Sequence, residues 1–162
     1  MKPWILLAAT VVMASPALAQ PVPTEPPEYP VTVIPHQTIE DAMAKKRDAL
    51  VLVQRNLAVE GDVRDKPGDI QFHDGVTDVF YITEGEATLV LGGKYEGGVR
   101  AGPDQVHGGK IIGGTTYHVT KGDCIVIPSR TAHWFMEVPK SVKYFTVRVW
   151  DHPAPLKAAP KP

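Results

Sequence analysis

The chain has 162 residues, with 17 Lys and Arg against 18 Asp and Glu and a formal net charge of −1. A balance so near zero provides no cationic face for nucleic acid or an anionic membrane surface. Cys124 is the only cysteine, which excludes an intramolecular disulfide, and within Cys-Ile-Val-Ile it reads as a small buried hydrophobe rather than a nucleophile.

The first residues carry an export pattern. Lys2 is the only charge before Glu25, and Trp4 to Met13 is apolar but shorter than the roughly 20 residues a membrane helix needs. Ala17-Leu18-Ala19 has the small-x-small form of a signal-peptidase site. The expectation is a signal peptide over 1–19, cleavage near Ala19/Gln20, and a mature periplasmic or secreted protein with no membrane anchor. Cleavage removes Lys2 and no acid, so the balance stays near neutral, and the 143 residues that remain suit one domain around one core.

Pro21, Pro23, Pro26, Pro27, Pro30 and Pro35 predict an extended arm over 20–35. Thr38, with an acid three residues on, reads as a helix cap, and Ile39, Met43 and Leu50 share one face at helical spacing. One short helix ending near Ala49 is expected, with Lys45, Lys46 and Arg47 solvated. Beyond it the period changes to two: Val51, Val53, Leu57, Val59 and Val63 alternate as a half-buried strand requires. Val79–Ile82, Ala87–Leu91, Ile125–Ile127, Trp134–Val138 and Val142–Trp150 are further β-branched and aromatic runs, separated by turn signals such as Asp74-Gly75, Glu84-Gly85 and Lys121-Gly122-Asp123. Many short strands with regular turns predict an all-β sandwich or barrel. Nine of the 14 glycines fall between Gly92 and Gly114, which reads as a flexible surface insertion. The Pro- and Ala-rich tail, 151–162, is expected to be disordered.

Two segments carry chemistry. The first runs Gln71-Phe72-His73, four residues, Asp78, six residues, Gly85; the second runs Gly122, five residues, Pro128-Ser129-Arg130, two residues, His133. Gln71 and His73 are two apart on a strand and face the same way, and a turn at Asp74-Gly75 is expected to bring Asp78 back across from them. Two imidazoles and a carboxylate are a competent set for a divalent first-row metal with open coordination positions, and Gln71 adds a neutral oxygen. Zn, Fe, Mn and Ni all accept such donors. Phe80 and Ile82 share the face of Asp78, and Phe135 shares that of His133, so these three are candidates for lining a substrate pocket. Arg148 interrupts an apolar strand; it could clamp an anion, though an outward-facing role is the plainer reading.

At matching spacing, both segments resemble the two motifs of the cupin superfamily, with His73, Asp78 and Gly85 on the first motif and His133 on the second. The resemblance covers about Leu50 to Trp150. It implies a cupin-type β-barrel, a double-stranded β-helix or jelly roll, as a small single-domain protein over 36–150 with the insertion at 92–114. It also implies a divalent metal held by His73, Asp78 and His133. The departures are Gln71 in place of the first motif's first histidine, Asp78 in place of Glu, Arg130 in place of glycine, and Glu137 in place of the usual Asn. Two functions stay open: a metal-dependent lyase, isomerase or dioxygenase acting on a small organic molecule, or a non-catalytic cupin that binds a small ligand at a decayed site. Tyr95, Arg100 and His107 are the insertion's candidates for touching that ligand as a gate, and His118 lies beside the insertion. No nucleic-acid partner is expected, and a homodimer is left open.

Overall fold

A computed structural model describes residues 29–45 and 49–155. The export segment, most of the proline arm, Lys46, Arg47 and the tail beyond residue 155 lie outside the described residues. The elements in order are α1 (His36–Lys45), β1 (Ala49–Gln54), β2 (Leu57–Arg64), β3 (Gln71–His73), β4 (Val76–Leu91), β5 (Lys94–Glu96), β6 (Val99–Arg100), β7 (Gln105–His107), β8 (Lys110–Ile112), β9 (Thr115–Thr120), β10 (Cys124–Ile127), β11 (His133–Glu137) and β12 (Val142–Trp150).

The long strand β4 organises everything. Its first half pairs with β12 and β10, its second half with β9 and β11, all antiparallel. One sheet therefore runs β1-β2-β12-β4-β10 and the other β9-β4-β11-β3-β7-β6, with β4 common to both. The Glu84-Gly85 turn expected from sequence is a bend inside this strand, not a break. Gly85 has φ +79, and a Cβ there would lie 2.0 Å from the Ser141 carbonyl oxygen, so only glycine lets β12 approach the bend. Between the two sheets sits an apolar core that includes Phe80, Ile82, Leu89, Ile127, Phe135 and Tyr144.

Helix α1 starts two residues earlier than Thr38. The Pro35 carbonyl accepts from the Thr38 amide at 3.0 Å, so Pro35 precedes the first turn. It ends at Lys45, and Leu50 belongs to β1, outside the helical face assigned to it. Ala42 and Met43 are buried against β2, where a Cβ on Gly61 would come within 2.7 Å of Ala42 Cβ. The helix thus covers the outer face of β2. With that cover both faces of β2 are buried, not one: Val59 and Gly61 lie under the helix, and Glu60, Asp62 and Arg64 are buried on the opposite face. The single strand read from Val51 to Val63 is a hairpin that turns at Arg55, with φ +39, and Asn56.

Two more expectations are corrected. Cys124 is exposed, because alternation on β10 turns Ile127 into the core and Cys124 and Val126 outward. The insertion is folded: β5 pairs with β8, and β7 pairs with β6 and β3. Tyr95 stacks on Phe72 at 4.9 Å and donates to the Gly108 carbonyl, while Arg100 donates to Asp74 and to the Pro103 carbonyl. At the other end, the first tail residues are tied down, with the Asp151 amide on the Gly75 carbonyl and the Ala154 amide on the Arg55 carbonyl.

Candidate metal centre

His73, Asp78 and His133 come together between the two sheets, and each is at least 96% buried by residue surface. His73 stands on β3 and His133 on β11, neighbours in one sheet; Asp78 stands on β4 in the other, opposite Arg148 of β12. The chain does not fold back at Asp74-Gly75 as a hairpin. It crosses there between sheets, and Asp78 faces the histidines because β3 and the start of β4 lie on opposite walls.

The imidazoles are oriented from behind. His133 Nδ1 lies 3.3 Å from the Thr131 carbonyl, and His73 makes a backbone hydrogen bond with Asp104. Both Nε2 atoms are buried with no hydrogen-bond partner, so the backbone contact of His73 also falls on Nδ1. Each ring then carries its proton on Nδ1 and turns a bare Nε2 lone pair inward. These lone pairs face Asp78 Oδ2, at 3.4 Å from His73 and 4.0 Å from His133. Despite those distances, neither contact is an ion pair at neutral pH. Burial first, then the charges of His133 and Arg148, push the His73 pKa down to about 3, and burial brings His133 to about 4. Burial pushes Asp78 up to about 6 against the pull of Arg148.

Three inward electron-pair donors in a buried site repel one another unless a cation or proton sits among them. One donor atom from each residue lies within 4.8 Å of the others. Ligand atoms about 2.1 Å from one metal at tetrahedral angles are about 3.4 Å apart, so a small contraction suffices to hold an ion. The donor set fits a divalent metal. Gln71 stands next to the pair, its Cα matched with His133 on one side and His107 on the other, and is half-buried.

The other sequence candidates separate. Phe80 packs 6.0 Å from the His133 ring and 5.9 Å from Phe135, and with Ile82 these residues form the apolar floor beneath the donors. Arg148 points inward, correcting the outward reading: its Nε is 3.4 Å from Asp78 Oδ1 and 3.5 Å from Glu60 Oε2. A cavity of about 220 Å³ reaches His73 and is lined also by Arg148, Trp150 and the insertion residues from Ala101 to Gln105. A larger groove of about 810 Å³, between α1 and the outer sheet face, contains none of the three donors. His118 is exposed beside Glu86, outside the site. Sequence reasoning missed Glu60, Asp104 and Trp150. The charged alternation Glu60, Asp62, Arg64 was a visible signal for the first; nothing local marks the other two.

Two curled antiparallel sheets share one bent strand, and the donors project between them from the motif positions. This is the cupin fold. No protein-family model matches the chain, and no curated protein does. Among solved structures, a Bacillus halodurans protein aligns with TM-score 0.54 at 15% identity, over 81% of this chain and 90% of that one. An uncharacterised conserved Klebsiella pneumoniae protein with a double-stranded β-helix domain aligns at 14% identity and TM-score 0.49, over 76% of this chain and 95% of that one. The cupin domain of Schizosaccharomyces pombe Cnp3 aligns at 9% identity and TM-score 0.45, covering 63% of this chain and 64% of that one. At these identities the likeness concerns the fold alone. Arg130, where the motif carries glycine, has φ +63, and its amide donates to the His73 carbonyl at 2.7 Å. The left-handed backbone explains the glycine; the amide bond holds the second motif against the first.

Proposed function

We propose that this cupin holds a divalent metal on His73, Asp78 and His133 and acts through it on a small organic molecule entering by the 220 Å³ cavity. The observation that carries this reading is the pair of buried Nε2 atoms with no hydrogen-bond partner, both facing one carboxylate oxygen. Bound there, a Zn, Fe, Mn or Ni ion supplies Lewis acidity that polarises substrate oxygens. The protein's own residues prepare the place. The Thr131 and Asp104 carbonyls fix the ring tautomers, Arg148 keeps Asp78 inclined to its charged form, and Phe80, Ile82 and Phe135 exclude water from below. Gln71 adds a neutral oxygen or holds a water at the edge. The reaction classes this set suits are those of a lyase, isomerase or dioxygenase. The N-terminal pattern supports action in the periplasm or outside the cell.

A second reading has a specific observation behind it. With Gln71 in place of a histidine the site is one strong donor short, which suits a cupin that retains a ligand without turning it over. Elemental analysis of protein purified from its native compartment tests the metal. His73→Ala and His133→Ala should bring bound divalent metal to near background, with Gln71→Ala milder. Unchanged metal content in both histidine variants would remove the site from this barrel. If metal and ligand bind together and no product forms, the second reading stands.

A further inference from the structure

The insertion adds a strand to the wall that carries the histidines. Gln71 of β3 pairs with His133 of β11 on one side and with His107 of β7 on the other. Residues opposite each other in an antiparallel ladder point to the same face of the sheet. His73 faces the interior and Phe72 the other way, onto Tyr95, so Gln71, Gln105 and His107 share the inward face with His73. Gln105 lines the cavity beside His73, as that direction requires. His107 is half-buried, and a charge on its ring disfavours a proton on both His73 and His133, which sets it near both. The strand that carries it is held at each end, with the Asp74 amide on the Asp104 carbonyl at 3.0 Å and the Gly108 amide on the Ile70 carbonyl at 2.9 Å.

His107 and His133 are placed alike. Each is opposite Gln71, and each is therefore a diagonal neighbour of His73, on one flanking strand or the other. Such neighbours are about 7–8 Å apart, within reach of a ring side chain. On the β11 side the reach is made, with the His133 and His73 ring centroids 5.1 Å apart. On the β7 side it is not: His107 Nε2 lies 3.4 Å from Gln105 Oε1, and the ring stands outside the three-donor cluster. That contact is its one hydrogen bond among the described residues, and it is longer than an ordinary N–H···O bond. Turning the ring inward gives up that one weak bond.

His73, His133 and Asp78 leave positions open on a divalent ion, and Gln71 beside them offers only a neutral amide oxygen. An imidazole is the stronger donor to a first-row metal. We infer that His107 is a fourth protein donor of this centre, supplied across Gln71 by the insertion strand β7. This rests on the metal reading, and it removes the shortage of donors behind the non-catalytic alternative.

The test is zinc binding by the full chain, measured by competition with a chromophoric chelator. His107→Ala should weaken zinc at least tenfold, while its melting temperature in excess chelator stays that of wild type. Adding Gln71→His to that variant should recover most of the loss, because position 71 lies on the same inner face between β7 and β11. A folded His107→Ala variant that binds zinc as wild type does overturns the proposal and leaves the metal reading intact. So does a loss that Gln71→His fails to recover, which would trace it to the brace of β7 on β3 and not to a donor. X-ray absorption on zinc-loaded wild type counts the imidazoles directly. Three are expected, and two would overturn the proposal even if the variants did not fold. If wild type takes up no zinc, the metal reading itself fails, and wild type reports that without any variant.

Discussion

Two buried polar clusters lie between the sheets of this protein, and they differ in one respect. In the first, Arg64 Nε donates to the Tyr144 hydroxyl at 2.8 Å, Thr146 Oγ1 donates to Asp62 at 2.8 Å, and the Arg64 guanidinium rests 4.6 Å over the Phe135 ring. In the second, His73 and His133 turn unmatched nitrogens toward Asp78. Both stand on inward positions of neighbouring strands, and both are buried. The first is internally satisfied and braces β2 against β12; the second is complete only with something added. Buried polarity is therefore not by itself a sign of function. A buried group whose partners point at it with lone pairs, and not with protons, is such a sign.

The largest expected effect breaks the second cluster alone. Stripping metal with a chelator should lower the melting temperature, since an ion held only by the folded state at a hundredfold excess over its Kd contributes about 2.7 kcal/mol. Calorimetry with and without chelator measures it, and His133→Ala should be indifferent to the treatment. A wild-type melting curve that ignores chelation would mean the cluster is as self-sufficient as its neighbour.

Acid should separate the clusters next. In metal-free protein the folded pKa values of His73, about 3, and His133, about 4, are below the ordinary 6.5. The unfolded chain then takes up protons the folded one refuses, so stability present above pH 6.5 is lost as pH falls through that window. Asp78, raised from 3.8 to about 6, works the opposite way between those values and offsets part of the loss. The net expectation from pH 7 to pH 4 is destabilisation, read by urea midpoints, and smaller in His133→Ala. A variant with the full wild-type slope would exclude His133 as its source.

Tyr144→Phe tests the satisfied cluster. It leaves Arg64 Nε without its acceptor and should cost about 1–3 kcal/mol, with metal content unchanged. Loss of metal in this variant would show that the two clusters are one. The smallest effect is a gain: Arg130→Gly relieves a left-handed backbone at φ +63 and should stabilise by about 1 kcal/mol while keeping the amide bond to His73. Denaturant midpoints resolve a shift of that size, and no gain would mean the arginine side chain compensates for its backbone.

The sequence by itself determined a good deal. The two motif spacings put His73, Asp78 and His133 in one set, and alternation with turn signals marked most of the strands, because a period of two and a glycine turn are local properties of the chain. Alternation divides a strand into two faces, however, and does not say which face is inside. On β2 the sequence favoured Val59 and Val63 as the buried side. Tertiary structure buried Val59 under α1, which Gly61 lets come close, and buried Glu60, Asp62 and Arg64 on the opposite face as well. The same physics turned Arg148 inward toward Asp78 and Glu60. It also built the cavity wall from the insertion, whose glycines suggested a loose excursion until β7 paired with β3. Which donors a buried group finds, and which it lacks, depends on strands far apart in the chain, so only the assembled sheets could separate the satisfied cluster from the unsatisfied one.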